Sequence, residues 1–334
     1  MRYKIGIVGG SGYIGYSLAK YLLNKFDIKI FDVRQPQNVE EKINFVFCDI
    51  RNFESVKKSL ADVDLVIHVA IVQIPLINEQ KRLGYEVNVV GTQNVCEVVN
   101  ENPHIKGMLI AGSWHTIGEK ELRGVIDEEF GFRPDKVEER ARLYALSKIA
   151  QESIVRLYDE MSDKIFGIIR MGTVLGEGMP EKTAANIFIE RGLKGMTITP
   201  YKHSMFRPML YVDIGDVCKA FERFSLKILN GETGKKSNSL AHVVNVYYPE
   251  PITVLELAET VQKVIIKYTN GFLRPKIEIV DTGQPPLFYE DDKKQIKVDI
   301  AKAINFLDIK KLKSPRESIE EIIKNRIKEL HQNL

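Results

Sequence analysis

Seven residues near the amino terminus constrain this chain more than any others: Gly9-Gly10-Ser11-Gly12-Tyr13-Ile14-Gly15. They follow an apolar, β-prone run at 3–8 (YKIGIV) and precede a helical pattern over Tyr13–Lys25. Glycines at 9, 12 and 15 let the backbone pass close to a pyrophosphate. The helix that starts there aims free N–H groups and the positive end of its dipole at the same spot. A strand, turn and helix of this kind open a Rossmann βαβ unit. The next strand, Ile28–Val33, carries Asp32 seventeen residues after Gly15. A carboxylate there accepts hydrogen bonds from ribose hydroxyls and repels a 2′-phosphate, which favours NAD over NADP. Arg34 argues the other way, because a guanidinium pairs with that phosphate. The alternative reading is a purely structural glycine turn beside a capping aspartate.

The same alternation continues downstream. Strands at 43–47 (INFVF), Leu65–Val69 and Gly107–Ala111 lie between helical patterns at 52–61 and about 78–100. This predicts a parallel sheet covered on both faces, with right-handed crossovers. A long helix is expected from about Val137 to Met161, and a strand at 165–170 should complete the nucleotide-binding sheet. Further helices are expected at 182–194, 213–229, 253–267 and 315–331, short strands near 208–212, 243–247 and 276–280, and a surface loop at 230–241. The expected fold is α/β: a Rossmann doubly wound parallel sheet with a smaller α/β C-terminal substrate lobe. Residues 1–172 should form the dinucleotide domain, with parts of 208–245 returning to it, and 173–334 mainly the lobe.

Composition narrows the partners. With 48 basic and 45 acidic residues the net charge is +3, which leaves no electrostatic footprint for nucleic acid. Lys293–Lys294 and Lys310–Lys313 read as solvated faces. Cys48, Cys96 and Cys218 are far apart and odd in number, with no disulfide framework or zinc spacing. With no apolar leader after Met1 and no run long enough to span a bilayer, a cytoplasmic protein without metal or membrane partner is expected.

Chemistry enters at Tyr144-Ala-Leu-Ser-Lys148. Residues four apart share a helix face, so the ammonium can stand near the phenol and stabilise its phenolate. A phenol of pKa about 10 needs such help to act as a general base near neutrality. The spacing recurs at Tyr16/Lys20, Tyr21/Lys25 and Tyr289/Lys293, but only Tyr144/Lys148 follows the fifth strand on a new long helix. The apolar stripe Ala141, Ala145, Ile149, Ile154 and Leu157 on that helix reads as core or dimer surface.

These ordered motifs resemble the extended short-chain dehydrogenase/reductases of the NAD-dependent epimerase/dehydratase group, along nearly the whole chain. The glycine turn matches, with Gly9, Gly12, Tyr13, Ile14 and Gly15 as cofactor contacts. Asp49-Ile50 resembles the family's adenine-contacting pair, and Val66-Ile-His-Val69-Ala70 its cofactor-lining fourth strand. Asn88-Val-Val-Gly-Thr-Gln-Asn94 is similar to its Asn-Val-x-Gly-Thr-x-Asn helix. Ser113 matches the catalytic serine, and Tyr144 and Lys148 the catalytic pair. Arg170 resembles the arginine ending the sixth strand, and Arg207-Pro-Met-Leu-Tyr-Val-Asp213 the family's Arg-x-x-x-x-Val-x-Asp segment. The resemblance implies that the tyrosine acts as base or acid, the lysine binds the nicotinamide ribose and the serine steadies the substrate. It also implies a homodimer formed by helices at about 85–100 and 141–160.

The chain departs from that pattern at Ala111-Gly112-Ser113-Trp114-His115, at Thr173, where nucleotide-sugar enzymes often carry asparagine, and at Thr199–Phe206, which lacks a Gly-Asp-Gly stretch. Ser113–Gly118 and Arg170–Thr173 also resemble uronate dehydrogenases. The readings are therefore a sugar or nucleotide-sugar epimerase or dehydratase, a sugar or uronate dehydrogenase releasing NADH, or a non-catalytic NAD-binding scaffold. Ser113, Trp114, His115, Tyr144, Thr173 and Arg207 are the expected substrate contacts, with Arg207 gripping a phosphate or carboxylate. His68, in a buried strand, reads as a structural hydrogen-bonder.

Overall fold

The computed structural model describes residues 2–36, 40–234 and 236–332. Residue 235, in the expected loop, lies outside them. Strands in chain order are β1 (Lys4–Val8), β2 (Asp27–Asp32), β3 (Ile43–Phe47), β4 (Leu65–His68), β5 (Gly107–Ser113), β6 (Gly124–Ile126) and β7 (Ile165–Met171). Then come β8 (Thr173–Leu175), β9 (Pro208–Met209), β10 (Tyr211–Asp213), β11 (Val243–Val246), β12 (Ile252–Thr253) and β13 (Ile296–Val298). Helices are α1 (Tyr13–Leu22), α2 (Phe53–Ser59), α3 (Leu76–Glu79), α4 (Lys81–Tyr85), α5 (Thr92–Glu101) and α6 (Arg142–Met161). Helices α7 (Ala184–Leu193), α8 (Ile214–Asn230), α9 (Val254–Tyr268), α10 (Ala301–Leu307) and α11 (Pro315–Gln332) complete the set.

The apolar strands form one parallel sheet in the order β11-β7-β5-β4-β1-β2-β3. Each face is covered because the strands are apolar on both sides. Leu18 and Leu22 of α1 and Phe221 and Phe224 of α8 bury one face. Val56 of α2, Val95 and Val99 of α5 and Val155 of α6 bury the other. A separate core joins α7, α9 and α11 through Phe188, Leu257, Val261, Ile319 and Ile323. In that lobe α9 starts on a reciprocal cap, Thr253 with Glu256, a device worth about 1 kcal/mol. Strand order reverses between β1 and β4, so the crevice beyond their carboxyl ends is where this fold binds ligands.

The structure corrects several sequence expectations. Strand 165–170 does not end the sheet, because β11 adds a seventh strand beside β7. A short parallel pair, β6 with β13, was not anticipated. The strand expected near 276–280 reduces to isolated bridges, Ile198 with Ile277 and Tyr201 with Val280. The helix expected over 78–100 is broken into α3, α4, a π-helical turn at Glu86–Gly91 and α5. The turn leaves Asn88 buried, where its side chain bonds both backbone polar groups of Val72. The helix expected from Val137 begins only at Arg142. Glu138 is extended instead (φ −57°, ψ 143°), with its N–H donated to the Glu119 carboxylate and its own carboxylate drawn to Arg140 and Arg207.

Candidate active site

The glycine turn lies against the end of β4. A methyl group placed on Gly9, whose φ is +82°, would lie 2.4 Å from the Ala70 nitrogen, so only glycine lets the two loops meet. One on Gly15 would lie 2.3 Å from the Gly9 carbonyl oxygen, so Gly15 is what allows α1 to press on the turn. Gly12, by contrast, would meet only ordinary van der Waals contact, with the Gly9 carbonyl oxygen at 3.5 Å. Helix α1 starts at Gly12 with no side-chain cap, and the Ser11 hydroxyl is buried with no partner among the described residues. Free amides, an orphaned hydroxyl and a dipole end aimed into an open cradle fit a dinucleotide pyrophosphate. Asp32 ends β2 and accepts from the backbone N–H of Ser11 at 3.1 Å and of Arg34 at 3.2 Å. The exposed Arg34 is therefore tied beside Asp32 through its backbone.

Other expected cofactor contacts divide by what they already touch. Asp49 is clasped by Arg51, from 2.6 to 3.1 Å, which holds its carboxyl below the usual range. Ile50 packs under Gly91, and Val69 continues the backbone ladder to Val8. Ile14 packs on the core under the sheet. The Tyr13 phenol is buried beside Gly176 without a partner among the described residues, and burial together with Asp213 raises its pKa. Asn88 departs from its expected role: it is fully buried, and both amide hydrogens go to Val72 O and Ser147 Oγ. It braces the loop after β4 against α6. His68 is fully buried and bonded to Thr92 at 3.0 Å, and burial pushes it down to about 3.

Strand β5 and helix α6 bring the catalytic candidates together. Ser113 ends β5, and its hydroxyl, which contacts His115, lies near enough to the Tyr144 phenol of α6 to influence its ionisation. Burial pushes the phenol up, and the Ser113 contact draws it back down. Lys148, one turn further along α6, is buried and donates to the Ala111 carbonyl at 2.8 Å. Burial pushes its ammonium down to about 7, opposed by the Glu152 carboxylate. Glu152 in turn forms a buried pair with Arg170, 2.6 Å at the shortest. The structure thus gathers Ser113, Tyr144 and Lys148, with the Lys148 ammonium donated to the Ala111 carbonyl.

The expected substrate contacts are also unevenly placed. His115 Nδ1 lies 3.2 Å from Ser113 Oγ, and its ring meets Tyr144 edge-on at 5.6 Å. Burial, then the Arg207 and Arg140 charges, push His115 down to about 3, so the ring is neutral at physiological pH. Trp114 is only 1% exposed, and its indole N–H donates to Thr173 Oγ1 at 3.2 Å. Two expected contacts therefore bond to each other, and Trp114 belongs to the lobe core. Arg207 donates from Nη1 to Glu138 at 2.6 Å. Glu138, Arg140 and Glu119 escaped the sequence reading because they look like an ordinary charged helix entry and turn. Only the fold carries them to His115. Among the described residues no group of His, Cys, Asp and Glu could hold a metal ion, and no helix is long and apolar enough to cross a membrane.

A crevice at a strand-order reversal, a glycine cradle and a Ser–Tyr–Lys cluster define a nucleotide-dependent oxidoreductase-type site. The chain belongs to the NAD-dependent epimerase/dehydratase family, whose pattern matches residues 5–239. It is thus an NAD-dependent enzyme of that family. A putative UDP-glucose 4-epimerase of Methanocaldococcus jannaschii is 29% identical over 277 residues, 80% of this chain and 82% of that protein. Among solved structures, MoeE5 in complex with UDP-glucuronic acid and NAD superposes with a TM-score of 0.77 at 18% identity, covering 98% of this chain and 99% of that one. UDP-glucose 4-epimerase of Thermus thermophilus in complex with NAD gives 0.74 at 21% identity, covering 97% and 99%. The two structural likenesses show the fold.

Proposed function

We propose that this enzyme acts on a sugar or nucleotide-sugar as an epimerase or dehydratase, with Tyr144 moving the proton of a substrate hydroxyl. The observation that carries the reading is the meeting of Ser113, Tyr144 and Lys148 at the carboxyl end of β5. NAD, when bound, supplies the hydride acceptor and a positively charged ring. Gly9, Gly12 and Gly15 with the first turn of α1 would hold its pyrophosphate, and Asp32 its adenosine ribose. Ser113 Oγ holds the substrate oxygen next to Tyr144 Oη. The raised phenol carries its proton at neutral pH, which suits the acid half of the reaction. For the base half it needs positive charge nearby. Lys148, with a pKa of about 7, can supply that charge or release its own proton near neutrality.

A second reading, a sugar or uronate dehydrogenase, draws on the Ser113–His115 contact, which puts a neutral imidazole beside the reacting hydroxyl. Accumulation of reduced cofactor on turnover separates it from an epimerase, which returns the hydride. The enzyme is further read as a homodimer. Leu146 (45% exposed), Leu157 (59%) and Met161 (58%) on α6, with Tyr85 (60%), leave an apolar face that a second copy would cover.

The test is turnover of UDP-glucose followed by NMR, together with mass spectrometry of the ligand released by heat. Tyr144→Phe is expected to abolish turnover and leave NAD affinity within a few-fold. Unchanged turnover in that variant refutes the assignment.

A further inference from the structure

Beside His115 lies a charge cluster that the proposed proton transfer does not use. Glu138 stands six residues ahead of Tyr144 on the approach to α6, while Arg207 lies in the segment leading to β9 and β10. Their ion pair, Nη1 to Oε1 at 2.6 Å, is largely buried, with side chains 12% and 9% exposed. The other carboxylate oxygen of Glu138 takes the Arg140 guanidinium at 2.7 Å. Its backbone N–H is held by Glu119 Oε1 at 3.3 Å. Glu138 is thus fixed at two points before it touches Arg207. The guanidinium donates to Glu138 through Nη1, and its Nε–H is buried with no partner among the described residues.

A guanidinium has two edges that can grip an anion with parallel hydrogen bonds. Glu138 holds Arg207 by Nη1 and leaves the Nε edge free. A buried N–H without a partner is unfavourable by about 1–3 kcal/mol, and an acceptor arriving at that edge would satisfy it. Charge points the same way: two guanidiniums share one carboxylate at Glu138, and burial drives the neighbouring Glu119 toward its neutral form. The cluster lies beside His115, whose ring contacts Ser113 and Tyr144.

We infer that Glu138 is a positioning residue that orients Arg207 so that its Nε edge receives a phosphate or carboxylate group of the substrate. The inference rests on the proposed sugar chemistry only for the identity of the natural anion. Glu138 does not compete with that anion for Arg207; it holds the guanidinium in the binding orientation. Loss of the Glu138 charge must then weaken anion binding, although it makes the cluster more positive. A competitor, or simple electrostatics, gives the opposite sign.

The test uses inorganic pyrophosphate, which carries neither sugar nor base, so its outcome is independent of whether UDP-glucose turns over. The full chain is labelled with 15N-arginine, and the Nε–H signal of Arg207 is assigned by its loss in Arg207→Lys. That signal should shift on titration, and the affinity should fall about ten-fold in Glu138→Gln and recover partly in Glu138→Asp. Melting temperature and NAD affinity serve as controls for folding. Tighter or unchanged pyrophosphate binding in folded Glu138→Gln overturns the inference. So does an Arg207 signal that ignores pyrophosphate in the unsubstituted protein, which would make the pair a lobe-to-lobe brace only. If Glu138→Gln does not fold, Glu138→Asp decides alone: its shorter side chain should weaken binding, and equal affinity overturns the inference.

Discussion

Lys148→Met should make the ligand-free protein more stable in mild acid, although it removes a residue of the proposed catalytic cluster. Burial takes the Lys148 ammonium from its ordinary 10.5 to about 7. At ~1.36 kcal/mol per pH unit this corresponds to an upper bound of about 5 kcal/mol of unfavourable charge burial. The sign follows from proton counting. Below pH 7 the group is charged folded and unfolded, so the full penalty is present. Between about 7 and 10.5 the unfolded chain binds the extra proton, and stability rises with pH. Above 10.5 the penalty is gone. Methionine of similar volume carries no charge but forfeits the bond to Ala111, a charged hydrogen bond worth about 1.5–3 kcal/mol. The net gain at about pH 6 is then roughly 2–3 kcal/mol, or ~3–4 °C in melting temperature for a chain of this size. At about pH 9.5 the gain should shrink to near zero, because only about 1.4 kcal/mol of the penalty remains and the bond lost is then that of a neutral amine, about 0.5–1.5 kcal/mol. Calorimetry or circular dichroism melts of both proteins at the two pH values measure this. A difference independent of pH, or a variant less stable at pH 6, would refute the burial reasoning.

Three other outcomes are expected. NAD should bind more tightly than NADP, because Asp32 meets the 2′-phosphate with like charge; titration of both cofactors checks this, and preference for NADP would mean that Arg34 prevails. Leu157→Glu, on the exposed face of α6, should shift a homodimer toward monomer in light scattering without unfolding it, and a wild-type protein that is monomeric at all concentrations refutes the dimer. Glu152→Gln leaves the buried Arg170 charge uncompensated and should destabilise the protein by about 3–5 kcal/mol in denaturant melts. The same change removes the carboxylate that holds the Lys148 ammonium up, so it should titrate lower still.

The sequence by itself determined the sheet and the turn. Apolar β-prone runs at regular intervals and a glycine cradle are local signals, and 3–8, 28–33, 43–47 and 107–111 appear as strands within a residue or two of where the pattern puts them. The four-residue helical spacing likewise put Tyr144 and Lys148 on one face of a helix, whereas Ser113 was picked out only by the resemblance and reaches them through the packing of β5 against α6. What side chains do once assembled was decided by tertiary contacts. Asn88 became a brace and Trp114 a core residue because their polar groups found protein partners in Val72, Ser147 and Thr173. Strand β11 joined the sheet beside β7 although about 70 residues separate them, and no local pattern encodes that pairing. Helix α6 lost its expected first turn because Glu138, 69 residues from Arg207 in sequence, is held by an ion pair in space. Periodicity and turn chemistry act over a few residues. Burial, pKa and ion pairing depend on which distant segments the core packs together, so they exist only once the chain has folded.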